Sequence, residues 1–404
     1  MMPDFYREDI GIEIGNTRFL KVLTGENPGP VMIFFGGIHG NEPAGIIALE
    51  RVLSELDPEN FNGSIYAISG NLNALSKNKR FLDYDLNRMW TSARMSKRSF
   101  ERKVYAEDLE QLELDAILHK IIDKHKTALY FIDLHTTSSK SLPFITINDS
   151  IINRRFSKLF KVPVILGIEE FLEGPLLSYI NELGYVSLGF ESGQHTSKEA
   201  ITNAESFIKL ALNFSGIVDH IDIEKEYKFL KKATRSNEKI YEIIFRYNIK
   251  REEHFKMKPG FSSFEKVEKG TLLATSDERD IYLSKTATLF MPLYQKKGED
   301  GYYLIRKIKP FFLNLSALFR NMNADSFLTL LPGVKWQNSA KSALIIDLKI
   351  ARFMAKPIFH LLGYRSRELG PDFIKVSSRD RRSKTHLYKD LAWYKKTLSV
   401  KKGF

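Results

Sequence analysis

The 404-residue chain contains no cysteine. That excludes a disulfide framework, a thiolate zinc site and a thiol nucleophile. No uncharged apolar run is long enough to span a bilayer. The first ten residues hold Asp4, Arg7, Glu8 and Asp9 and lack an apolar core, so no signal peptide is expected. No internal repeat is evident. These absences fit a reducing compartment, and the expectation is a cytoplasmic protein without membrane association.

What is present is an ordinary globular composition, 43% hydrophobic and 27% charged, with length for two or three domains. The net charge of +12 is unevenly placed. From Lys341 onward there are 16 Lys and Arg against 5 Asp and Glu, so the remainder is nearly neutral. The basic character belongs to a C-terminal extension.

Three buried strands set the frame. Val31 to Phe35 is an apolar run that stops at Gly36-Gly37. His39 and Glu42 follow three residues apart. Pro43 suits the first turn of a helix, and Ala44 to Leu56 carries helical periodicity. An imidazole and a carboxylate thus project from a strand-to-helix turn, the usual place for chemistry in an α/β sheet. Alone, a His-x-x-Glu pair is as readily a surface contact as a metal site.

Ser64 to Ser69 is a second strand, followed by a polar segment from Lys77 to Arg88. This segment reads equally as a solvated loop and as a source of arginine forks for a carboxylate or oxyanion. Glu101 to Lys126 is helical, with His119 and His125 as surface or capping residues. Ala128 to Leu134 is the third strand. It ends at Asp133-Leu134-His135, where His135 can converge on His39 and Glu42 and Asp133 can orient a ligand imidazole.

Shorter strands are expected at Phe144 to Ile147 and Val162 to Leu166, and a helix at Tyr179 to Leu183. Tyr185 to Phe190 then runs into Glu191, a carboxylate costly to bury without a partner or a task. Lys198 to Leu212 is a closing helix. Beyond Val218, short strands at 241–247, 260–264, 270–275, 281–282, 287–292 and 301–306 suggest a small β domain. Ile308 to Asn323 and Ser339 to Leu362 read as helical, and Ser377 to Lys402 as basic and partly disordered. The expected division is 1–218, 219–325 and 326–404.

Four segments in this order, Gly36-Gly37-Ile38-His39-Gly40-Asn41-Glu42, Asp85-Leu86-Asn87-Arg88, Asp133-Leu134-His135-Thr136-Thr137-Ser138 and Gly189-Phe190-Glu191-Ser192-Gly193, resemble the succinylglutamate desuccinylase/aspartoacylase family. The resemblance implies an α/β fold: a zinc carboxypeptidase-like mixed sheet flanked by helices, then a small β domain, with the basic helical extension outside it. It implies one Zn2+ per chain on His39, Glu42 and His135, an open set of two histidines and a carboxylate. It implies Glu191 as general base and acid, Arg80 as the oxyanion partner, and Asn87 and Arg88 as holders of a substrate carboxylate. A tyrosine from the β domain would join them. Tyr302 is the residue chosen, with its neighbour Tyr303 the alternative.

The implied activity is hydrolysis of an N-acyl amino acid or related amide, a small acylated amine. One departure stands out. Aspartoacylases place a further arginine shortly before the catalytic glutamate, where this chain has Tyr179-Ile180-Asn181-Glu182. His195 can approach the site through its nearness to Glu191, but its plainer reading is a capping or loop histidine. Two other classes compete with the deacylase: a carboxypeptidase-like peptidase, and a binding protein. In the latter, the basic cluster from Arg379 to Lys402, interleaved with Tyr388, Trp393 and Tyr394, would contact nucleic acid or an anionic membrane. The plainer reading of that cluster is a solvated helix or tail packed on the body.

Overall fold

The structure, a computed structural model, describes residues 17–96, 104–219, 221–322, 328–337, 341, 343–351, 363–368 and 372–399. The turn of the expected N-terminal hairpin lies outside these residues, as does most of the helix expected over 339–362.

The strands β1 (Phe19–Thr24), β2 (Asn27–Gly36), β3 (Asn62–Ser69), β4 (Leu129–Thr137), β5 (Phe144–Thr146), β6 (Val164–Leu166), β7 (Val186–Gln194) and β8 (Ile240–Asn248) follow one another in the chain. Next come β9 (Phe255–Met257), β10 (Glu265–Val267), β11 (Leu272–Ser276), β12 (Arg279–Tyr282), β13 (Ala287–Phe290) and β14 (Asp300–Lys307). Eleven strands form one mixed sheet in the order β1-β3-β2-β4-β7-β5-β6-β8-β14-β13-β10. Its centre, β3-β2-β4-β7, is parallel. Those strands are apolar and buried along nearly their whole length because both faces are covered, as a parallel sheet requires.

Helices α1 (Ala44–Ser54) and α4 (Lys198–Ser215) cover one face, packing Ile47, Leu49 and Phe207 against Phe34, Ile132 and Phe190. Helices α2 (Ala106–Lys124) and α3 (Leu176–Glu182) cover the other, with Leu114, Leu118 and Ile180 against Ile33, Phe35 and Phe131. Each such buried side chain contributes about 1.5–3 kcal/mol relative to exposure. His125 caps α2 and meets the Tyr66 hydroxyl, and His119 is exposed, as the sequence suggested.

After the charged helix α5 (Ile223–Ala233), β8, β14, β13 and β10 extend the same sheet, while β12-β11-β9 form a separate three-stranded one. The strand expected at 260–264 is a turn. Pairing falls on either side of it, at β9 and β10, because Gly260 and Phe264 both take positive φ.

The C-terminal region departs most from expectation. Helix α6 (Pro310–Asn321) precedes a four-stranded antiparallel sheet, β15 (Val334–Trp336), β16 (Ala343–Asp347), β17 (Tyr364–Glu368) and β18 (Phe373–Ser378), in the order β15-β16-β18-β17. Residues 343–347 are thus strand, not helix, because their apolar positions pair across a sheet. The stretch from 377 to 399 is ordered. It ends in α7 (Ala392–Ser399), and Tyr388, Trp393 and Tyr394 belong to the core beneath β4 and β7. Aromatic rings placed there are unavailable for stacking on nucleic acid.

Candidate metal centre and its cleft

The loop between β2 and α1 turns through Gly37, whose φ of +70° favours glycine. Gly40 in that loop abuts the backbone of Ala74 so closely that an added Cβ would lie 2.1 Å from a carbonyl carbon. Pro43 caps α1. These constraints fix His39 and Glu42 at the C-terminal edge of the sheet. His135 reaches the same edge from β4, and Glu191 stands opposite it on β7 in the strand register.

The side chains of His39, Glu42 and His135 are buried, and one ligand atom from each lies within 4.8 Å of the others. Both histidines turn Nδ1 inward. His39 Nδ1 is 2.9 Å from Glu42 Oε1, and His135 Nδ1 is 3.0 Å from Glu42 Oε2. Both turn Nε2 outward to a carboxylate: Asp85 at 3.1 Å for His39, and Asp133 at 2.7 Å for His135. The Thr136 N–H also donates to Glu42 Oε2.

Such pairs fix ring orientation and raise the basicity of the inward nitrogen. Burial alone would lower the His135 pKa, but Asp133 and then Glu42 hold it well above the usual histidine range. Burial would likewise raise Glu42, yet His39 and His135 hold it well below the usual carboxylate range. Burial pushes the Glu191 carboxyl up to about 8, helped by Glu42 and Asp133 and opposed by His135 and Arg80. Glu191 Oε2 is shielded from solvent and has no hydrogen-bond partner among the described residues. Two inward nitrogens, one carboxylate and a partnerless carboxyl beside them fit a divalent metal with an open position.

Arg80 donates to Asp85 at 2.9 Å and approaches Glu42 at 3.4 Å. Asn87 and Arg88 line the cleft, and Asn87 Oδ1 accepts from the Leu176 N–H. The cleft opens to solvent. Tyr302 does not face it. Its ring stacks on Tyr247 in the core of the β region, 5.4 Å between centroids. Tyr303 lines the cleft instead, because neighbouring residues of a strand point to opposite faces. His195 is also a cleft residue, with Nδ1 2.7 Å from the Thr136 hydroxyl, and so is not a mere loop histidine. Burial lowers its pKa. The sequence assigns no role to Asp85, Gln295 or Asp300, although Asp85 opens one of the four family segments.

The fold and the site define an α/β domain with a His-Glu-His ligand group at the C-terminal edge of a parallel sheet. Residues 28–205 match the profile of the succinylglutamate desuccinylase/aspartoacylase catalytic domain. Among solved structures, it is similar to a succinylglutamate desuccinylase/aspartoacylase from Rhodobacter sphaeroides (17% identity, 71% of this chain and 88% of that one, TM-score 0.53). It is also similar to the ectoine utilization protein EutE (DoeB) from Ruegeria pomeroyi (16%, 71% and 88%, 0.52) and to a succinylglutamate desuccinylase from Vibrio parahaemolyticus (14%, 71% and 86%, 0.51). At these identities the likeness speaks for the fold. No curated protein sequence matches the chain. No described helix is long and apolar enough to cross a membrane.

Proposed function

We propose that the chain is a zinc-dependent amidohydrolase that cleaves an N-acyl amino acid or related amide to a carboxylate and a free amine. The observation that carries this is the convergence of His39, Glu42 and His135 beside Glu191, whose carboxyl is pushed up to about 8 by burial and whose Oε2 has no hydrogen-bond partner among the described residues. The family is one of hydrolytic deacylases, which agrees.

His39, Glu42 and His135 would hold the ion. Zinc there would supply Lewis acidity, activating water at neutral pH and polarising the carbonyl. Asp85 and Asp133 keep the two imidazoles turned inward. Glu191 takes the proton from the attacking water and passes it to the leaving amine, the work of a general base and then acid. The Arg80 guanidinium, lining the cleft, meets the charge that develops on the carbonyl oxygen. Asn87, Arg88 and Tyr303 form the wall against which the rest of the substrate lies.

The test is amine release from a panel of N-acyl amino acids, amides and short peptides by zinc-loaded protein. Glu191→Gln should keep the metal stoichiometry and lose roughly 10²–10⁴-fold in rate. Full activity in that variant would remove Glu191 from the mechanism.

A further inference from the structure

The wall of the cleft away from the ligand group holds an internal carboxylate where a substrate anion would be expected. Asp300, at the start of β14, accepts from Arg88 Nη2 at 3.0 Å, from Arg246 Nε, and from the Tyr303 phenol. The remaining contacts of those guanidinium groups are internal as well. Arg88 Nη1 donates to the Asn87 carbonyl at 3.0 Å, and Arg246 Nη1 to the Phe171 carbonyl at 2.6 Å. The other cation lining the cleft, Arg80, is paired with Asp85 and Glu42.

Every Lys or Arg among the cleft residues is therefore already matched by a carboxylate of the chain. A substrate carboxylate entering here would have to displace Asp300, leaving a partly buried charge without its partners, which is costly. Ile147, Ile168, Leu172, Leu177, Met291 and Leu293 also line the cleft and give it an apolar surface, with Ile168 and Met291 packed in the same cluster as Tyr303.

We propose that Asp300 closes the anion slot formed by Arg88, Arg246 and Tyr303, and that the substrate is an amide whose flanking groups are uncharged, one of them apolar and seated on the Ile168–Leu177 wall. This rests on the deacylase reading of the same site, and it sets the substrate apart from N-acyl dicarboxylates. Asp300 is here a specificity-determining residue. It acts through the guanidinium groups it neutralises.

Binding and turnover are measured separately. Zinc-loaded Glu191→Gln protein is titrated calorimetrically with N-acetyl-leucinamide, N-acetylaspartate and N-succinylglutamate, and kcat and KM are measured for wild type on the same three. The amide should bind at least about tenfold more tightly than either dicarboxylate. Asp300→Asn, in the Glu191→Gln background for binding and alone for kinetics, should move the ratio toward the dicarboxylates by about tenfold, through KM and not kcat.

Leu177→Arg, which adds an unpaired guanidinium to the partly exposed apolar wall, should shift it the same way if Asp300→Asn fails to fold. Tighter binding of a dicarboxylate by the starting protein, an unchanged ratio in a folded variant, or binding of none of the probes would overturn the proposal. If the binding preference holds but wild type cleaves nothing, the deacylase reading fails and the inference on ligand class stands.

Discussion

Tyr388 ties the basic C-terminal region to the strands that carry the site. Its hydroxyl donates to the Leu129 carbonyl and accepts from the Val186 N–H at 3.1 Å, so it bridges the first residues of β4 and β7. His135 and Glu191 lie further along these same two strands. The ring is fully buried, packed edge-on against Tyr130. Tyr388→Phe keeps the ring and removes both hydrogen bonds. A buried backbone group left unsatisfied costs about 1–3 kcal/mol, so the pair should cost roughly 2–6 kcal/mol. In urea, with a slope of about 3 kcal/mol/M, the midpoint should fall by roughly 0.7–2 M without a change of slope. Circular dichroism across a urea series is the assay. In the folded state, turnover at room temperature should change little, since the ligand ends of the strands are untouched. A loss below about 0.5 kcal/mol would refute the reasoning, because that is the size expected of a surface substitution.

Asp133→Asn should weaken zinc binding by about 10–100-fold, read by competition with a chromophoric chelator, since His135 then loses the carboxylate that orients it. An unchanged affinity would remove Asp133 from the site. Burial would raise the Asp149 carboxyl, but Arg154 and then Arg320 overcome it and hold it at about 2 against an ordinary 3.8. A depressed carboxylate stabilises above its unfolded pKa, so this contribution of about 2 kcal/mol is present above pH 4 and fades as pH falls toward 2. The free energy of unfolding should therefore drop less between pH 5 and pH 3 in Asp149→Asn than in wild type. Parallel pH profiles would count against the ion pairs.

Much of the site could be read from the chain alone, for a physical reason. Strands buried on both faces are continuous apolar runs, and such runs end visibly. A His or Glu just past the end of one, as with His39, His135 and Glu191, is at the sheet edge whatever the details of packing. Spacing alone also brought Glu42 beside His39. Tyr303 and not Tyr302 lines the cleft, and alternation says only that the two part company. Which one faces the cleft depends on how β14 pairs with β8, and that register is set by contacts far away in sequence.

The C-terminal region misled for a different reason. Its charge count is high, but Arg379 is buried against Glu169 and Glu170, and Asp380 pairs with Arg320 of the preceding helix. Composition records charge without recording its partner, so a run that reads as solvated can be an ion-paired core element.

What the sequence determined by itself is the α/β centre and the position of His39, His135 and Glu191 at strand ends, for which local hydrophobic pattern suffices. The reading of His39, Glu42 and His135 as a ligand group came from the resemblance of the four segments to the family. Only the tertiary structure decided that Asp85 holds the second imidazole as Asp133 holds the first, that Tyr303 and His195 face the cleft, and that Asp300 fills the space before Arg88. Asp300 and Arg88 are more than two hundred residues apart in the chain. No periodicity links them, and they meet because β14 adds to a sheet whose distant strands position Arg88 at its edge.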